Sequence, residues 1–191
     1  VDLIDNGFAT YHLLFGEDKD NTLWTSSGGG GGVVGWLNTR VWDQTHDAQK
    51  SQGWTALVLD TNGNGKRDAY EEVDQNVATL ANGDSMGNSA AIKGIAKDPK
   101  KDTRMNAAFY GLAIGTDGSV WGSVLGFPGG IVRLMPGSNP TETALAEYYE
   151  VPWNTPKATT QGYSPRGTDI DPNHVAGVAR RSGPLARRDS D

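Results

Sequence analysis

Asp117-Gly118-Ser119-Val120-Trp121, then Gly126-Phe127-Pro128-Gly129-Gly130, then Ile131-Val132-Arg133-Leu134-Met135-Pro136, reads as two apolar strands joined by a glycine-rich reversal. The Asp-Gly pair supplies the positive φ of an entry turn, and the glycines close the hairpin. The same order occurs upstream: Asp20-Asn21-Thr22-Leu23-Trp24, the run Gly28 to Gly32, then Val33-Val34-Gly35-Trp36-Leu37-Asn38. A third copy opens at Gly162-Tyr163-Ser164-Pro165-Arg166-Gly167-Thr168-Asp169-Ile170-Asp171-Pro172-Asn173 and places Gly177 where the other two hold Trp24 and Trp121. The spacing is irregular, so insertions interrupt the period.

Composition agrees with short strands and tight turns. Gly 26 and Pro 9 make up about 18% of the 191 residues, against roughly 12% in average usage. Repeated units of an apolar strand, an Asp-Gly turn, a Trp strand and a returning strand predict an all-β fold of the propeller type. Hairpins carrying Trp also occur in β-sandwiches, which stands as the alternative. The expectation is a partial β-propeller of two to three antiparallel blades over residues 1–178, with a loop-rich insertion over about 43–107. A basic tail, 179–191, carries Arg180, Arg181, Arg187 and Arg188; without aromatic partners on an acidic chain it is expected to be disordered rather than a nucleic-acid arm.

Several classes are disfavoured at once. With no cysteine there is no disulfide framework, thiolate metal site or cysteine nucleophile. A net charge of −6 without a sustained basic face argues against nucleic acid as partner. No apolar run is long enough for a membrane-spanning helix. The start, Val1-Asp2-Leu3-Ile4-Asp5, has neither a positive n-region nor an apolar h-region, so no signal peptide is expected there, and its lack of a methionine leads to the expectation of a mature or truncated chain.

The most specific chemical motif is Asp60-Thr61-Asn62-Gly63-Asn64-Gly65-Lys66-Arg67-Asp68-Ala69-Tyr70-Glu71, which matches the twelve-residue calcium loop of EF-hands. Asp60, Asn62 and Asn64 stand at positions 1, 3 and 5, and Lys66 offers its carbonyl at 7. Asp68 stands at 9, Glu71 at 12, and Gly65 at the sharp turn. Arg67 at position 8 replaces the usual apolar residue, so a paired EF-hand is not expected. Trp54 to Leu59 reads as a strand, and Tyr70-Glu71-Glu72-Val73 as the start of a short helix. Three anionic ligands and no second site predict modest Ca²⁺ affinity, suited to a structural ion outside the cytosol. The alternative is an Asn-Gly-rich turn that binds nothing.

Weaker constellations have bland readings beside sharp ones. The pentaglycine lacks the Gly-Lys-Ser/Thr ending of a phosphate loop and is read as a hairpin tip. His46 with Asp43 and Asp47 offers a second metal site or an acid–base pair, with a solvated loop as the alternative; His12 reads as a strand residue. Lys93 to Arg104 and Asn82 to Ser89 read as surface loop. Arg166, entering the third unit, offers a fork for a carboxylate or phosphate ligand, with a salt bridge to Asp169 or Asp171 as the alternative.

The segments Tyr163 to Asp171, Asn21 to Ser27 and Gly53 to Gly63 resemble a family of bacterial propeller proteins described as streptogramin (virginiamycin B) lyase-like or carboxypeptidase-regulatory-like. The resemblance covers roughly residues 8–175. It implies that this chain is a section of a longer propeller, that it is periplasmic or secreted, and that further blades or a partner chain close the fold. The lyases proper use histidine with bound magnesium, and the contexts of His12, His46 and His174 do not match that pattern. The leading expectation is thus a calcium-stabilised, non-catalytic scaffold for an unidentified small molecule or protein. The rival is a lyase or lactonase with a metal at the channel mouth.

Overall fold

The structure, a computed structural model, describes residues 1–27, 32–72, 98–125, 127–153, 156, 158–179 and 186–188. Gly28 to Gly31, Val73 to Lys97, Gly126, Arg180 and Arg181 lie outside them, and with them most of the pentaglycine and the Asn82 to Ser89 loop.

The described chain is mostly β. Strands β1 (Leu13–Phe15), β2 (Thr22–Ser26), β3 (Val33–Asn38) and β4 (Gln52–Ala56) form a four-stranded antiparallel meander. Between β3 and β4 lie two short helices, α1 (Thr39–Thr45), capped by the Asn38 side chain, and α2 (Ala48–Ser51), capped by Asp47. A second antiparallel meander comprises β8 (Phe109–Ile114), β9 (Val120–Val124), β10 (Gly130–Met135) and β11 (Leu145–Glu150). Helix α3 (Pro140–Thr143) connects its last two strands. A third comprises β12 (Thr168–Ile170), β13 (Ala176–Val178) and β14 (Ala186–Arg188).

The excursion between the first two meanders contributes β5 (Val58–Leu59), β6 (Tyr70–Glu71) and β7 (Asp102–Arg104). These extend the second sheet to seven strands, in the order β6-β7-β5-β11-β10-β9-β8, with β5–β11 and β6–β7 parallel. Four expectations are thereby corrected. Residues 52–56 complete the first meander, so the insertion begins after Ala56 rather than at 43. Tyr70–Glu71 is strand and not helix, because pairing with Asp102 and Thr103 overrides local propensity. Asp102 and Thr103 are buried in β7, where a surface loop was expected. Ala186–Arg188 pairs with β13 and so is strand within the segment expected to be a disordered tail.

The repeats coincide in register. Trp24 pairs with Leu14, Trp121 with Ala113 and Gly177 with Asp169, each in the second strand of its meander against the first. The turns before them share one geometry. Asn21, Gly118 and His174 have φ of 48°, 81° and 62°, and each N–H donates to the carbonyl three residues back. Aspartate carboxylates close these turns: Asp18, Asp117 and Asp171 accept backbone N–H bonds at 2.8 to 3.3 Å.

Packing between meanders is head to tail. The first core cluster joins Trp24 and Val34, on the Trp face of the first meander, to Phe109, Leu112, Val120, Val132, Leu134 and Ala146, on the opposite face of the second. The second cluster joins Trp121, Ala113 and Ile131, on the Trp face of the second meander, to Ala176, Val178 and Ile170 of the third. Each interface thus sets a Trp face against a non-Trp face, a heterologous contact that propagates in one direction. The non-Trp face of the first meander has no such neighbour among the described residues: Leu13, Phe15 and Trp54 are 56%, 60% and 46% exposed. The N-terminal segment covers part of it: Phe8 lies so close over Gly35 that a Cβ there would collide with the ring, and the Gln52 amide donates to the Asp5 carbonyl.

Candidate functional site

The first strands of the three meanders lie side by side, and the same register position of each enters one cluster. Counting back from Leu14, Ala113 and Asp169, that position holds Tyr11, Tyr110 and Arg166. The Tyr11 and Tyr110 ring centroids are 5.3 Å apart, and the Arg166 guanidinium sits 5.3 Å from the Tyr110 centroid. His12 packs edge-on against both rings, at 4.7 and 5.5 Å. Tyr11, His12 and Arg166 are exposed, and Tyr110 is half-buried.

Two serines build this convergence. Ser26 and Ser123, each two residues beyond its Trp, tie one meander to the next. Ser26 Oγ accepts the His12 N–H at 3.1 Å and donates to the Tyr110 carbonyl at 3.3 Å. Ser123 Oγ accepts the Gly111 N–H at 2.9 Å and donates to the Arg166 carbonyl. Gly111 stands where the first copy has His12, since a Cβ there would strike the Arg166 carbonyl.

The electrostatics of the cluster favour negative charge on oxygen. Hydrogen bonding from the Tyr11 phenol, then from Arg166, holds the Tyr110 hydroxyl below the ordinary phenol range, and the same contact with Tyr110 raises Tyr11. Among the described residues Arg166 forms no ion pair, so the expected alternative of a bridge to Asp169 or Asp171 is not formed. Arg133 is the contrast, engaging Asp117 at 2.7 Å and Glu147 at 3.3 Å while lying over Trp121.

The oxygen-rich loop from Asp60 to Glu71 leaves β5 and is folded on itself. Asp60 accepts from the N–H groups of Gly63, Asn64 and Gly65 at 2.7 to 3.1 Å. The amides of Asn62 and Asn64 both donate to Asp68 Oδ2, and Gly63 and Gly65 take φ of 74° and 73°. Those two amide bonds, with Lys66 nearby, lower the Asp68 carboxyl. Positions 1, 3, 5 and 9 are therefore drawn together. Glu71, at position 12, lies in β6 beside Thr103. Among the described residues no three His, Cys, Asp or Glu side chains form a metal-binding group.

Two residues that the sequence reading did not assign hold this loop. Asp102 is fully buried; its Oδ2 accepts the Asp68 N–H at 2.7 Å, and its Oδ1 has no hydrogen-bond partner among the described residues. Arg67, noted as anomalous at position 8, donates to Thr55 Oγ1 at 2.6 Å and to the carbonyls of Pro140 and Ala144 at 3.3 Å. It fastens the loop to both sheets instead of pairing it with a second loop.

The other histidines serve local structure. His46 ends α1 with φ 50°, stacked on Trp42, while Asp47 caps α2 and pairs with Lys50, so Asp43, His46 and Asp47 do not converge. His174 occupies a turn and bonds Thr116 Oγ1 at 2.6 Å. No helix among the described residues is long and apolar enough to cross a membrane.

No family model, curated protein or solved structure matches the chain.

Proposed function

We propose that the chain is a section of a β-propeller, stabilised by calcium in the Asp60–Glu71 loop, that serves as a binding scaffold. The observation that carries this reading is the head-to-tail stacking of register-equivalent meanders. Such stacking brings the first strands together around one axis and continues until a ring closes, typically at four to eight blades. The uncovered apolar face of the first meander then belongs to the preceding blade, supplied by further chain or by a partner. The resemblance to streptogramin lyase-like and carboxypeptidase-regulatory-like proteins, and a periplasmic or secreted location, are part of the same proposal.

The donor set fits a hard divalent ion. Asp60, Asn62, Asn64 and Asp68 supply side-chain oxygens, Lys66 a carbonyl and Glu71 a further carboxylate, and calcium takes six to eight such donors. The Asp102 oxygen that has no hydrogen-bond partner among the described residues lies directly behind Asp68, at the loop's base. Binding would replace the internal amide bonds to Asp68 and make the loop's fold depend on the ion. No reaction step is assigned to it.

Two measurements test the proposal. Ca²⁺ at millimolar concentration raises the melting temperature of the full chain, and Asp60→Ala removes that rise; an unchanged wild-type melt withdraws the ion. Because the chain has no cysteine, a Tyr11→Cys/Tyr110→Cys variant reports the axis directly. A short bis-maleimide joins the two positions within one chain if the first strands converge. Only intermolecular products would withdraw the propeller arrangement.

A further inference from the structure

We infer that Tyr11, Tyr110 and Arg166 form a site for the oxyanion group, carboxylate or phosphate, of a small molecule entering where the three first strands meet. The inference rests on the propeller reading and names the ligand chemistry of that scaffold. Three features of the cluster point to it together.

The first is position. Successive meanders deliver the same register position to one place, so the cluster is built by the architecture and held by the Ser26 and Ser123 bridges. The second is unspent charge. Arg166 is exposed and has no carboxylate partner among the described residues, although the chain is acidic overall and supplies two carboxylates to Arg133. Stacking over Tyr110 orients the plane of the guanidinium while leaving N–H donors for a bidentate contact. The third is donor convergence. The Tyr11 phenol and the Arg166 guanidinium both favour negative charge at the Tyr110 oxygen, which marks the spot where an incoming oxyanion meets the same donors. His12 packs edge-on against both rings and walls one side of the cluster.

The test is isothermal titration of the full chain with inorganic phosphate and, separately, with benzoate. Saturable binding of either probe is expected, weakened at least roughly tenfold by Arg166→Gln and only partly restored by Arg166→Lys, since lysine lacks the fork. Tyr11→Phe keeps the ring and removes the donor, and weakens binding about fivefold. Phosphate bound in preference assigns a phosphorylated ligand, and benzoate in preference a carboxylate. No heat at millimolar probe, or binding that survives Arg166→Gln unchanged, overturns the site. An intramolecular Tyr11–Tyr110 cross-link alongside absent binding rejects the site alone. Loss of the cross-link rejects the propeller arrangement beneath it.

Discussion

The hydroxyl of Ser123 donates to the backbone carbonyl of Arg166, across the boundary between the second and third meanders. The same oxygen accepts the Gly111 N–H, so one fully buried side chain satisfies groups from two units. Ser123→Ala leaves a backbone amide and a carbonyl without that partner, at a cost of about 1–3 kcal/mol. Urea unfolding of the variant measures this directly. Ser26→Ala, at the equivalent position, is expected to cost a similar amount; a negligible loss at both would mean that the serines do not bind the meanders together.

Gly177 stands opposite Asp169 where the other copies have tryptophan, and a Cβ there would meet only the Asp169 carbonyl at 3.8 Å. Its φ is not in the left-handed region, so Gly177→Ala restricts the unfolded chain without straining the fold. A gain of about 0.4–1 kcal/mol follows. At Gly111 the same substitution drives a methyl into the Arg166 carbonyl and is destabilising. Thermal melts of the two variants should move in opposite directions.

Asp117 gives a pH signature. Burial would raise its carboxyl, but hydrogen bonds from the Ser119 hydroxyl and N–H, together with Arg133, outweigh it and bring the group down to about 2. A carboxyl lowered on folding contributes stability that is present above its unfolded value near 4 and is lost as pH falls through about 2. The side chain is 42% exposed, so solvent screening keeps the contribution small. The melting temperature should drop between about pH 4 and pH 2, and Asp117→Asn should flatten that drop in part. An identical profile in the variant would assign the acid transition to other carboxylates.

Much of the architecture is legible in the sequence because its punctuation is chemical. Aspartate-led turns mark the second strand of each meander and a tryptophan marks it in the first two, and the alignment of Gly177 with Trp24 and Trp121 coincides with the strand register. The charged run Lys100-Lys101-Asp102 hides β7, whose carboxylate is buried behind the loop. Tyr70–Glu71 has a helix-compatible composition, and only its partner strand, some thirty residues away, decides otherwise. Of the Tyr11, Tyr110 and Arg166 cluster, Arg166 is legible in the sequence, but its meeting with the two tyrosines is not, for a different reason. The cluster's members differ in chemistry, and the first turn is two residues longer than the others, so only counting back through each strand pair from the tryptophan position aligns them.

The exposed face of the first meander carries the last prediction. Leu13, Leu23 and Leu37 correspond in register to Leu112, Val120 and Leu134, which are buried against the first meander's Trp face. The first copy thus keeps the apolar residues of an interface, while Leu13 and Phe15 remain open. Exposed apolar strand of this kind promotes association, and its backbone edge adds to the tendency. Leu13→Lys with Phe15→Glu should therefore reduce self-association in sedimentation velocity while changing stability by only about 0.5 kcal/mol, as expected for surface positions. A loss of several kcal/mol instead would show that the face is already covered within the chain, and the first meander would then be an end of the stack and not an interior unit of it.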